Sequence, residues 1–143
     1  MPRLSSLFLL CLTLLAACKK APVQPEPEPA LAGRWNRNVF AYTDYDPAGK
    51  VVATTEDQLA GQGLYFTFSA DTIRYFENQV LLSSSRYARE GSVLHVTHYN
   101  VNLRQTEKYD LTIAELTDAK LVFQRRLVGP SGYYSITTTT CGR

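Results

Sequence analysis

From residue 31 onward the apolar residues of this chain alternate with a period of two, and no segment carries the three-to-four-residue stripe of an amphipathic helix. Leu64, Phe66 and Phe68 fall on one face of an extended segment, with Tyr65, Thr67 and Ser69 on the other. Leu94 and Val96 alternate with Val93, His95 and Thr97. Tyr109, Leu111 and Ile113 alternate with Asp110, Thr112 and Ala114, and Leu121 and Phe123 oppose Val122 and Gln124. Turn formers punctuate these runs at Asp46-Pro47-Ala48-Gly49, Ser69-Ala70-Asp71, Glu90-Gly91, Thr117-Asp118-Ala119 and Gly129-Pro130-Ser131-Gly132. The pattern predicts eight to nine antiparallel strands, near 34–43, 50–55, 63–69, 72–78, 80–89, 92–99, 104–114, 120–128 and 133–140, with a short helix or open loop over 56–62. The expected fold class is all-β, one antiparallel barrel of roughly eight strands, because closure hides the sheet edges.

The first thirty residues are of a different kind. Met1-Pro2-Arg3 carries one positive charge, Leu7 to Leu15 is an apolar core, and Ala16-Ala17-Cys18 follows. These are the parts of a secretory signal. The apolar stretch from Leu4 to Cys18 falls short of the roughly 20 residues a membrane-spanning helix needs, and Lys19-Lys20 follows at once. Residues 21–30 read APVQPEPEPA, with four prolines in ten positions. Proline lacks an N–H and fixes φ, so this segment is expected to be extended, about 3.1 Å per residue and roughly 30 Å in all. The expected organisation is a signal peptide at 1–17, a Pro/Glu-rich tether at 18–30 and one domain at 31–143.

Leu15-Ala16-Ala17-Cys18 resembles the lipobox of bacterial lipoproteins, in which the peptide is cut just before a lipid-modified cysteine. The resemblance implies a diacylglyceryl thioether on Cys18 and usually an amide-linked third acyl chain, such as palmitate. Acyl chains contribute about 0.8 kcal/mol per buried methylene, and two or three make attachment durable. The partner so implied is a membrane, and the location is the cell envelope. Lys19 is compatible with outer-membrane sorting, on the periplasmic or surface face. An ordinary signal peptide cut between Ala16 and Ala21, or a retained N-terminal anchor, are the alternatives. Of the three cysteines, Cys11 lies in the signal segment and Cys18 would be alkylated. Cys141 then has no intrachain partner, so no disulfide framework is expected. Its place near the chain end suggests a buried or merely tolerated thiol in a segment prone to fraying.

The domain itself resembles bacterial lipocalin-like domains in the order of its motifs. Leu31-Ala32-Gly33-Arg34-Trp35 is similar to the family's opening G-x-W, and Ile113 to Phe123 is similar to its late I-x-x-L-T-x-x-x-L hairpin. The likeness covers residues 31–128. Ala70-Asp71-Thr72-Ile73 departs from it in lacking the glycine of a D-G-x-Y turn. In the family the first-strand tryptophan plugs one end of the barrel, often against an arginine. The resemblance gives Trp35 the plug and Arg125 or Arg126 the cation. Shared architecture does not carry a shared activity.

Chemistry is sparse. His95 and His98 form an H-x-x-H, but on a strand such positions point to opposite faces, so they do not share an ion and no metal site is expected. No nucleophile elbow, zincin helix or phosphate loop is present, so neither an enzyme nor a cofactor is expected. Without residues 1–17 the chain holds 14 Lys and Arg against 13 Asp and Glu, a net charge of +1. That balance argues against nucleic acid as a partner. A barrel of about eight strands is just wide enough to be filled by side chains or to hold one small ligand. Two readings follow. In the first, a non-catalytic, membrane-anchored barrel binds a small apolar ligand, with Leu64, Phe66, Phe68, Leu111, Ile113 and Phe123 lining or filling the interior. In the second, a filled barrel meets an envelope protein through loops such as 42–50 or 128–134. Under either, Cys18→Ala should leave the domain folded but unanchored, and fractionation of cells should move the protein from the membrane to the aqueous fraction.

Overall fold

A computed structural model of the chain describes residues 30–143; the stretches expected to be a signal peptide and a tether, with Cys18, lie outside the described residues. Nine antiparallel strands make up the fold. They are β1 (Gly33–Tyr45), β2 (Val51–Gln58), β3 (Leu64–Phe68), β4 (Thr72–Glu77), β5 (Val80–Glu90), β6 (Val93–Asn100), β7 (Gln105–Leu116), β8 (Lys120–Val128) and β9 (Tyr134–Gly142). Among the described residues there is no α-helix, and a single 3-10 turn at Pro130–Gly132 links β8 to β9. The alternation of the sequence places each strand within a few residues. Glu56 to Gln58 correct it: they are strand, facing Ala41, Phe40 and Val39 of β1, and only residues 59–63 form the turn.

Eight of the strands close into a barrel in the order β1-β3-β4-β5-β6-β7-β8-β9, with β9 pairing back onto β1. β2 stands outside the ring. This division arises on β1, whose one edge is held by β9 from Asn36 to Tyr45 while the other edge changes partner midway. Gly33 to Asn36 pair with β3, and Val39 to Tyr45 pair with β2. The change coincides with a bulge between Arg37 and Val39, and the Leu59 amide donates to the Asn38 carbonyl at 2.7 Å to close the corner. β2 is exposed along its whole length.

Tight turns set the register. Asp46 accepts from the amides of Ala48 and Lys50 through its side chain, and Gly49 takes the positive φ of the β1–β2 turn. The β4–β5 hairpin turns on Asn78 and Gln79, both at positive φ, the backbone of a type I′ turn. The signal for this turn was weak, because asparagine accepts that conformation and glutamine does so rarely.

One end of the barrel is sealed. Trp35, Leu94, Val96, Leu121 and Cys141 are fully buried there, packed with Leu31, Phe68 and Ile113. The Trp35 indole N–H donates to the Leu31 carbonyl at 2.8 Å, so its polar edge is satisfied inside the plug. The cation over its ring is Arg143, at 4.3 Å, and not Arg125 or Arg126. Strand geometry explains the correction. Leu121 is the β8 residue level with Cys141 at the plug, and Arg125 lies four residues further on, roughly 14 Å towards the other end. β9, in contrast, delivers the C-terminus to the start of β1, where Asn36 pairs with Gly142. Arg143 also donates to the Ala30 and Ala32 carbonyls, at 2.6 and 3.1 Å. Cys141 is held between Arg37 on β1 and Leu121 on β8 and does not fray.

Removing the plug should expose its cost. Trp35→Ala should lower stability by about 3–5 kcal/mol, as for other buried large-to-small changes, and Arg143→Ala by about 1 kcal/mol, read from urea denaturation curves.

Candidate functional site

Above the plug the barrel holds a cavity of about 160 Å³. Its wall is drawn from six strands. Phe66 comes from β3, Ile73 and Tyr75 from β4, Ser83 and Ser85 from β5, Tyr109 and Leu111 from β7, Phe123 and Arg125 from β8, and Thr137 from β9. Inward positions on a strand recur every second residue, so β4, β7 and β8 each contribute two neighbours to the wall. On all three the apolar member (Ile73, Leu111, Phe123) is nearer the plug, and the polar one (Tyr75, Tyr109, Arg125) is nearer the open end. The cavity therefore has an apolar floor and a polar upper wall. Its volume matches the roughly 150 Å³ of an engineered cavity that takes benzene and is below the 300–1,000 Å³ usual for drug-sized ligands.

The floor is aromatic. Phe66 stacks on Tyr75 at 4.8 Å between centroids and meets Phe123 edge-on at 5.4 Å. Of the six residues expected to line or fill the interior, Phe66, Leu111 and Phe123 line the cavity. Phe68 and Ile113 pack into the core beneath it. Leu64 is half-buried and belongs to neither group.

Two arginines project into this interior, and the sequence reading gave neither of them that place. Arg125 lies 3.9 Å above the Tyr109 ring, and its Nε is buried without a hydrogen-bond partner. Arg37 donates from a terminal nitrogen to the Tyr75 hydroxyl at 3.0 Å and packs 4.5 Å over the Phe40 ring; its Nε is likewise buried and unpartnered. Among the described residues neither guanidinium has a carboxylate within 4 Å: the ion pairs are those of His95 with Glu90 and Asp110, and of Lys120 with Glu115. Glu107, on the inward face of β7, is engaged by the Asn100 amide at 3.0 Å. The signal that would have found Arg125 is simple parity, since it shares a face with Leu121 and Phe123.

The hydroxyls around the arginines are neutral donors. Burial pushes the Tyr109 phenol above its ordinary value, against the opposing pull of Arg125 and a hydrogen bond from Ser85. Ser85 also meets His98 Nδ1 at 2.9 Å, inside the barrel. His95 points outward to Asp110, at 2.8 Å, and that hydrogen bond, followed by the one to Glu90, raises its pKa. The two histidines thus lie on opposite faces. Among the described residues no group of three metal-ligating side chains converges.

Two further hollows lie outside the interior. One of about 430 Å³ runs over β5, β6 and β7, bordered by exposed Arg86, His95, Lys108 and Asp110. The other, about 230 Å³, sits where the β1–β2 and β8–β9 turns meet, with Tyr45 stacked on Tyr134 at 4.7 Å. Compared with models of known protein families and with curated proteins, the chain matches none.

Cys141 belongs to the plug, and burial pushes its thiol from 9.0 up to about 12, despite the facing charge of Arg37. The folded state therefore keeps a proton that the unfolded chain releases. This contribution to stability is complete below pH 9 and is lost as pH rises from 9 towards 12. Cys141→Ala should accordingly flatten the decline of unfolding free energy across that window, measured by denaturant titration at several pH values.

Proposed function

We propose that this chain is a lipid-anchored lipoprotein of the bacterial cell envelope whose lipocalin-like barrel binds a small ligand without catalysis. The observation that carries the ligand reading is the interior cavity: it is closed at one end by Trp35 and floored by Phe66, Leu111 and Phe123. The lipobox-like run ending at Cys18 supports the anchor, and the closed eight-stranded antiparallel barrel is compatible with the lipocalin-like resemblance. At about 160 Å³ the cavity fits a single ring or a short chain and excludes a phospholipid.

A second reading, an interaction module, has its own support at the open end. Residues 42–45 and 133–135 are tied together by the Tyr42 hydroxyl donating to Ser135 and by Ser135 donating to Asp44. Around that junction and along the neighbouring turns, Val51, Val52, Leu81, Leu82, Val101, Leu103, Val128 and Tyr133 are exposed. An apolar rim of this kind suits a protein partner.

Benzyl alcohol separates the two. Under the ligand reading it should shift the NMR methyl signals of Ile73 and Leu111, and Ser83→Leu, which fills the upper wall, should abolish those shifts while the circular dichroism spectrum stays that of a folded β-protein. Shifts confined to residues at the rim would favour the interaction module.

A further inference from the structure

The chemistry of the cavity wall goes beyond room for an apolar body. The polar side chains lining it are Tyr75, Ser83, Ser85, Tyr109, Arg125 and Thr137, all hydrogen-bond donors, with the Thr137 proton given to the Arg125 carbonyl at 3.4 Å, and none is a carboxylate. Tyr75 accepts from Arg37, which leaves its own hydroxyl proton available to the cavity. Arg125 brings a permanent positive charge with its Nε buried and unpartnered, and no carboxylate among the described residues lies within 4 Å of it. Cys141, the β9 register partner of Arg37, is held as a neutral thiol by burial and supplies no counter-charge. Glu107, the inward carboxylate of β7, is held by the Asn100 amide and does not come within 4 Å of Arg125. A guanidinium half withdrawn from water with no anion in contact is an unfavourable arrangement that an incoming anion relieves.

We propose that the barrel is a receptor for a small amphiphilic oxyanion, its charged head on Arg125 and the surrounding hydroxyls and its apolar body on Phe66, Leu111 and Phe123. The inference rests on the ligand-binding reading above and adds the sign and position of the ligand's charge. The polarity of β4, β7 and β8 fixes the orientation, with the head towards the open end and the body towards the plug. The volume fixes the size, close to that of one aromatic ring. A carboxylate suits the planar fork of an arginine, which can bind both oxygens at once.

The test compares benzoate with benzyl alcohol, two probes of nearly equal size that differ in charge, by calorimetry on the purified full chain at neutral pH. Benzoate should bind about tenfold or more tightly than benzyl alcohol, the difference that charge-assisted hydrogen bonds supply. Arg125→Gln should remove that preference and leave benzyl alcohol affinity within about twofold, while Arg34→Gln, on the outer face against Tyr65, should change neither. The comparison on the unmodified chain requires no variant to fold. Equal affinity for the two probes, or a preference that survives Arg125→Gln in a folded variant, overturns the oxyanion receptor while the cavity reading stands. Binding of neither probe overturns both.

Discussion

β1 is the strand on which the barrel depends, because among the described strands it alone satisfies three partners. β9 occupies one edge through most of its length, and the other edge is shared between β3 and β2. A backbone edge left open in an apolar sheet is costly and a template for wrong pairing. The bulge after Arg37 marks the change: below it the free edge of β1 pairs with β3, and above it that edge pairs with β2 while the other edge stays on β9. Arg37, the last residue before the bulge, shares the inward face with Trp35 and stands across from Cys141, so the barrel carries a charge at the level where β1 changes partner.

That interior is divided along the barrel axis, with the division following from two different demands. Near the plug, Trp35 has no route to water, its N–H is spent on Leu31, and the neighbours are aliphatic or aromatic. Further up, the wall turns to hydroxyls and guanidiniums, which a filled structural core would have no reason to keep. Aromatic faces soften the cost of the cations: Tyr109 lies under Arg125 and Phe40 under Arg37. Such contacts do not satisfy the Nε donors, and the polar upper wall remains the part of the fold that stability alone does not explain.

Much of this was readable from the residues. Period-two alternation located β3, β6, β7 and β8, since half-buried antiparallel strands impose that pattern on the sequence directly, and the turn formers between the runs bounded the other strands. The opposite orientation of His95 and His98 followed from the same rule. What escaped the reading depends on pairing over distance. Nothing near Asn38 announces a bulge, so the departure of β2 from the ring was hidden, and the extension of β2 through Gln58 was hidden with it. The cation over Trp35 was sought on β8, where the resemblance suggested it, although the closing seam brings Arg143 there. Arg125 shares parity with Leu121 and Phe123, so its inward direction is legible in β8 alone, whereas its height above the plug depends on the pairing with β9.

The seam between β1 and β9 joins the two ends of the domain, and Arg143 ties the last residue to Ala30 and Ala32. These contacts join residues up to 113 apart in sequence, and loop closure of that length is slow. A chain emerging from its N-terminus could form the successive hairpins from β3 to β8 as they appear, yet it could not close the ring until β9 was free to pair with β1. Until that moment β1 would carry an unpaired edge and the tryptophan plug would lack its lid. Closure of the barrel is thus the last event of folding, and the interior cavity comes into being only with it.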